Sequence, residues 1–298
     1  MSITEGRPDQ APGGNAVREV LRYTAFSSEP DGGSPAGVVL DATGMTEEQM
    51  LAVAAEVGFS ETAFLFPNGK RFLTRYFSPL AEVSFCGHAT IATAVAHAER
   101  VGPGRLALDT QAGPVEVDTR KDADGRWQAT LTSVVPTTAD LDAGDRRALL
   151  DALGWNDDDL DSALPPRVAY AGAWHPVIAV RTRERLAALD YDLAALTDLM
   201  AARGWTTVDL VWREDERTFH ARNPFPPGGV VEDPATGAAA AALGGYLREG
   251  GHIRPPSTVT VLQGVDMGRP SVLTVGIPAD PGQGIDVTGH AVALPRTP

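Results

Sequence analysis

Phe85-Cys86-Gly87-His88-Ala89-Thr90, followed by the apolar run Ile91-Ala92-Thr93-Ala94-Val95-Ala96, joins a strand-like segment to a helix through a thiol, a glycine and a histidine. A helix start of this kind presents free backbone N–H groups to an anion while a side chain does proton chemistry. The same grammar returns at Glu232-Asp233-Pro234-Ala235-Thr236-Gly237-Ala238-Ala239-Ala240. Both helices are rich in small residues and apolar on most sides, which suits burial at the centre of a domain. The pair reads as one device used twice, a weak internal repeat seen in pattern more than in identity. It also reads as two ordinary Ala-rich helices, and the pattern alone leaves both open.

The rest of the chain supplies strands around these two helices. Alternating apolar residues mark strands near 17–27, 36–40, 63–66, 71–77, 82–85, 105–110, 113–119 and 127–133. Thr46 with Gln49 three residues on forms a capping box for a helix that runs to about Val57 and stops at Gly58. Composition changes at Val135-Pro136-Thr137-Thr138, where a domain boundary is expected. Beyond it come helices at 145–153 and 193–203, and strands at 168–171, 177–181, 208–212, 217–222, 257–263, 271–277 and 285–288.

The chain has 298 residues, 43% of them hydrophobic and 21% charged, enough for two globular domains with real cores. A net charge of −14 argues against nucleic-acid partners and against an anionic membrane surface. It leaves room for a small anionic substrate, which a helix start binds locally. With Cys86 the single cysteine, no internal disulfide forms. Residues 1–17 are polar and rich in Gly and Pro, without the basic and apolar regions of a signal peptide, so a disordered tail is expected. No apolar run is long enough to span a bilayer, and the expected location is cytoplasmic.

Several residues could carry chemistry. Glu61, just before an apolar strand, is a candidate general acid/base whose pKa partial burial would raise; it also reads as an exposed strand-end glutamate. His88, at a helix start, is expected neutral and able to give and take a proton, or simply to hydrogen-bond in the core. Cys86 could be a base, but racemases that use thiols need two, so it reads as a small buried residue lining the site. Asp233, held extended by Pro234, could pair with His88 or hold a substrate group, or serve only the helix entry. The histidines 97, 175, 220, 252 and 290 show no metal-ligand spacing, and no Walker loop, dinucleotide fingerprint or nucleophile elbow is present.

Taken in order, Ser34-Pro35-Ala36-Gly37-Val38-Val39-Leu40, Ser60-Glu61-Thr62-Ala63-Phe64, Arg75-Tyr76-Phe77-Ser78-Pro79, Glu82 to Thr90, Glu232 to Gly237, Gln263-Gly264 and Met267-Gly268-Arg269-Pro270-Ser271 resemble the phenazine-biosynthesis PhzF-like family. The resemblance implies an α+β, diaminopimelate-epimerase-like fold: two similar domains, each a curled, mostly antiparallel sheet or barrel around a central helix. It implies an N-terminal domain of residues 18–134 plus 285–298, a C-terminal domain of 135–284, and a cleft between them. It implies a cofactor-independent isomerase without metal, acting on a small carboxylate, and a homodimer. By the family's pattern Glu61, His88 and Asp233 carry proton transfer. Gly87, Ala89, Thr236, Gly237 and Ala238 bind substrate. Relatives often have serine where this chain has Ala238, which removes a hydroxyl donor worth about 1.5–3 kcal/mol to a charged group. An amino-acid racemase and a binding protein of the same fold are the competing readings.

Overall fold

In the computed structural model, which describes residues 19–295, the alternating segments pair into two curved sheets, each wrapped round one helix. The tail expected over residues 1–17 lies outside the described residues. The first half runs β1 (Leu21–Ala25), β2 (Ser34–Val39), α1 (Glu47–Val57), β3 (Glu61–Asn68), β4 (Arg71–Phe77), β5 (Glu82–Val83), α2 (Gly87–Val101), β6 (Gly104–Thr110), β7 (Gly113–Lys121) and β8 (Trp127–Thr132). The second runs β9 (Thr137–Asp140), α3 (Ala143–Leu153), β10 (Arg167–Tyr170), β11 (Trp174–Val180), α4 (Arg183–Ala187), α5 (Leu193–Arg203), β12 (Asp209–Arg213), β13 (Thr218–Pro224), β14 (Glu232–Asp233), α6 (Gly237–Glu249), β15 (Ser257–Gln263), β16 (Ser271–Ile277) and β17 (Asp286–Ala293).

Strand pairing closes the first sheet into an eight-stranded barrel in the order β1, β2, β3, β4, β6, β7, β8, β17 and back to β1. The pairings β2–β3 and β4–β6 are parallel, each crossed by a helix, and the rest are antiparallel. The second sheet repeats the strand order, among the described residues without the closing pair, running β9, β10, β11, β12, β13, β15, β16 and on to β17, with parallel pairs β11–β12 and β13–β15. β17 belongs to both: Asp286 to Thr288 lie between β8 on one side and β16 on the other. Ala291–Ala293 then pair with β1, so the last strand stitches the two halves together.

The central helices explain their own composition. α2 buries His88 to Ala96 and Ala98, with Ile91 and Val95 fully enclosed. α6 buries Ala239 to Leu247. Small side chains let strands approach from every direction; a Cβ on Gly245 would come within 2.5 Å of the Pro136 ring. One continuous apolar core runs through both halves and includes residues of both helices. Outer faces are covered separately, by α1 over Phe64 and Phe77 and by α3, α4 and α5 over Ile178, Val180 and Leu210. Phe26 takes φ +64° where the chain leaves β1, and its ring fills the space that a Cβ on Gly289 would claim at 2.2 Å.

The capping box at Thr46 and Gln49 forms as expected, and Gly58 closes α1 at φ +71°. Three elements depart from the pattern reading. Residues 137–140, read as a boundary, form β9, because their partner is β10, nearly thirty residues on. Residues 183–187 form the short α4, capped by Thr182. The final strand continues to Ala293 because β1 offers it a second partner. Among the described residues no helix is long and apolar enough to cross a membrane.

Candidate functional site

Each half delivers a helix start to the same place by the same means. In the first, Arg75 on β4 donates two hydrogen bonds, 2.6 and 2.5 Å, to the carboxylate of Glu82 on β5. The chain then turns through Ser84 to Cys86 and enters α2. In the second, Arg222 on β13 makes the same two-pronged contact with Glu232 on β14, at 3.0 and 2.5 Å, and the chain enters α6. Bidentate geometry of this kind fixes position as well as charge. The repeat suspected from sequence thus extends to the bracket that aims each helix.

Both helix starts border one cavity of about 860 Å³ between the halves. Its wall includes Ser60, Glu61, Cys86, Gly87, His88, Asp233, Thr236, Gly237 and Ala238. Ala89, expected among the substrate contacts, is fully buried in the core and does not line the cavity. The other helices begin with a side-chain cap: Thr46 for α1, Asp142 for α3, Thr182 for α4 and Asp192 for α5. Neither Cys86 before α2 nor Thr236 before α6 caps with its side chain. The two helix starts at the cavity are therefore those whose first-turn amides no side chain claims at the N-cap.

At the α2 start, Glu61 Oε2 lies 3.2 Å from His88 Nε2, with the two side chains 14% and 8% exposed. The distance is that of an ion pair, although the alignment is not that of a hydrogen bond. The Ser60 hydroxyl also sits 3.3 Å from Nε2. Burial of Glu61 favours its neutral form, but His88 beside it, together with Ser60 and Cys86, outweighs that effect, and the carboxyl moves below its usual range. Burial likewise opposes the imidazolium, yet Cys86 and Glu61 beside it carry His88 well above its ordinary value. The expectations of a raised Glu61 and a neutral His88 are both corrected by this contact: each group supplies the charge the other needs.

Cys86 is disfavoured as a thiolate in this arrangement. Burial, reinforced by Glu61, pushes its thiol up to about 11. Its sulfur lies 3.4 Å from Nδ1 and 3.6 Å from Nε2 of His88. A sulfur in the ring plane at those distances would overlap the carbon between the two nitrogens, so it rests over the imidazole face. Glu61, Cys86 and His88 offer ligand atoms within 4.8 Å of one another. A metal bound to Nε2 would lie in the ring plane, away from the sulfur above it, so the three are not set to share one cation.

At the α6 start, Asp233 accepts from the Thr236 hydroxyl at 2.7 Å and from the Ala235 amide at 3.3 Å. Enclosure by protein raises its carboxyl against the lowering influence of His88 and Thr236. Gln263 on β15 holds this turn: its amide nitrogen donates to the Asp233 carbonyl at 2.7 Å and to the Thr236 hydroxyl at 3.0 Å, while its oxygen accepts the Thr236 amide at 3.0 Å. The Gln263-Gly264 motif marks this residue in the sequence, but only the β13–β15 pairing reveals its task.

Comparison with known proteins agrees with this architecture. The family model described as phenazine biosynthesis-like protein matches residues 23–296. The trans-2,3-dihydro-3-hydroxyanthranilate isomerase of Pseudomonas fluorescens is 33% identical over 278 residues, 91% of this chain and 95% of that protein. An uncharacterized isomerase of Bacillus subtilis is 31% identical over 285 residues, 92% of this chain and 96% of its own length. The PhzF-family phenazine biosynthesis protein of Bacillus anthracis has a solved structure with a TM-score of 0.83 at 27% identity, covering 93% of this chain and 96% of that one. A probable proline racemase of Agrobacterium radiobacter shares the fold alone, with a TM-score of 0.64 at 13% identity over 92% of this chain and 90% of that one.

Proposed function

The chain belongs to the phenazine biosynthesis-like protein family, whose relatives are named isomerases, and on that premise we propose a proton-shift isomerase acting on a small carboxylate-bearing substrate without cofactor. The observation that carries the reading is the placing of the Glu61–His88 pair and Asp233 on one cavity wall, between two helix starts left without side-chain caps.

The substrate carboxylate is held by first-turn amides of α2 and α6, around Gly87 and Gly237. Each helix terminus contributes on the order of 0.3–2 kcal/mol toward an anion, the more so away from water. Glu61 rests as a carboxylate because His88 stabilises its charge, so it removes a proton from the substrate. His88 takes charge from, and returns it to, Glu61 as that proton moves. Asp233, whose carboxyl is raised, rests nearer to protonation and serves as the opposing acid. Ala238 offers an amide but no hydroxyl, which separates this chain's substrate recognition from that of relatives with serine there.

The racemase reading is weaker on a specific point. A thiol pair would place its second sulfur at the start of α6, and the residue there is Thr236. The reaction is tested by solvent deuterium uptake into trans-2,3-dihydro-3-hydroxyanthranilate and related small carboxylates. Wild type exchanges a carbon-bound proton and Glu61→Gln slows it by about 10²-fold or more; equal uptake by the two proteins removes Glu61 from the chemistry.

A further inference from the structure

The second half carries a polar cluster that this reaction does not use. His175 on β11 is fully buried, yet it contributes to the cavity wall beside Thr207, Tyr170 and Trp174. The Thr207 hydroxyl donates to Asn223 Oδ1 at 2.7 Å, and Asn223 Nδ2 donates to Asp209 Oδ1 at 3.1 Å. With its proton committed to Asn223, the Thr207 oxygen can only accept from His175 Nδ1, 2.9 Å away. This chain of bonds places the imidazole proton on Nδ1 and leaves Nε2 an acceptor. Burial keeps the ring neutral, with its pKa pushed down to about 4. Among the described residues nothing hydrogen-bonds to Nε2. A buried acceptor kept without a partner is costly and calls for a use.

The internal repeat gives the position a second significance. Arg75 and Arg222 occupy equivalent places, each clamping the glutamate before a central helix. Arg75 lies opposite Phe64 across β3 and β4, and Arg222 lies opposite Leu210 across β12 and β13. Three residues before Phe64 is Glu61; three before Leu210 is Thr207. The second half thus sets Thr207 and His175 where the first sets its acid/base carboxylate. Beside them the rings of Tyr170 and Trp174, with centroids 5.0 Å apart and planes tilted by 49°, add aromatic surface to the wall.

We propose that His175, held by Thr207, is a specificity-determining residue whose Nε2 accepts a hydrogen bond from a hydroxyl or amino group on the carboxylate substrate. The seat of the carboxylate rests on the reading given under Proposed function; the acceptor role rests on the His175 cluster.

The test uses two probes that share a ring and a carboxylate: benzoate, and 3-hydroxyanthranilate, which adds a hydroxyl and an amine. Calorimetric titration of the full chain is expected to show 3-hydroxyanthranilate binding about tenfold tighter. His175→Leu brings the two within about twofold and leaves benzoate unchanged. Nitrogen-15 NMR of the wild type shows the His175 Nε2 resonance moving with 3-hydroxyanthranilate and staying still with benzoate, which decides the matter even if the variant does not fold. The proposal is overturned by an undiminished preference in His175→Leu, by a stationary Nε2 resonance at saturation, or by failure of both acids to bind wild type. Deuterium uptake in Glu61→Gln is read separately, so the reaction can fail while the acceptor role stands.

Discussion

Replacing His88 by alanine strands the Glu61 carboxylate. At 3.2 Å, two opposite charges in surroundings of effective dielectric constant about 20 attract by about 5 kcal/mol, before the cost of burying them. Removing one member of such a pair typically costs about 3–5 kcal/mol, because the other remains buried without compensation. That is a large share of the roughly 5–15 kcal/mol that holds a domain folded. The loss must depend on pH. Glu61 has a lowered folded pKa, so its contribution is present above its ordinary value of 4.5 and fades as pH falls through the folded value. His88 has a raised folded pKa, so its contribution is complete below its ordinary 6.5 and fades as pH rises through the folded value. The pair is therefore at full strength between 4.5 and 6.5. In His88→Ala the burial of Glu61 prevails over its contacts with Ser60 and Cys86, its carboxyl rises, and protonation relieves the penalty at lower pH. Urea unfolding of wild type, His88→Ala, Glu61→Gln and the double variant at pH 6 and pH 4 measures this. The expected result is a loss of about 3–5 kcal/mol for His88→Ala at pH 6 that shrinks at pH 4, with strong non-additivity in the double variant. A loss that is equal at both pH values, or effects that simply add, refutes the coupling.

Other consequences follow from single contacts. Cys86→Ser should keep deuterium exchange within a few-fold of wild type, and iodoacetamide at pH 7 should react slowly with a thiol pushed up to about 11; rapid inactivation contradicts this. Arg222→Ala leaves Glu232, 4% exposed, without its bidentate partner and should cost about 3–5 kcal/mol in urea unfolding. Gln263→Ala frees the Asp233–Thr236 turn from three hydrogen bonds and should cost about 1–3 kcal/mol, while slowing deuterium exchange. Unchanged stability and exchange would show that the turn holds itself.

How far the chain can be read without its structure depends on the range of the interaction. The two Gly-led helices, the Thr46 capping box and the Gly58 stop are local signals, and they stand where the pattern places them. The Glu61, His88 and Asp233 motifs point to one site, and the three residues do line one cavity. Charge states were not legible in the same way. Partial burial alone raises a glutamate, and only the meeting of Glu61 with a histidine 27 residues later reverses that direction. His175 looked like one of several scattered histidines, because Thr207 precedes β12 and the rest of its network, Asp209 and Asn223, lies on β12 and β13, all distant in sequence. β9 was hidden for the same reason: the short, mostly polar run Thr137-Thr138-Ala139-Asp140 forms a strand only because β10 is there to pair with it.

The most direct test of a single site built from two helix starts is a crystal structure of the chain with a bound small carboxylate such as 3-hydroxyanthranilate. The carboxylate oxygens should lie within about 3 Å of first-turn amides around Gly87 and Gly237, with a ring carbon against Glu61. A carboxylate seated elsewhere, with both helix starts facing only water, would contradict it.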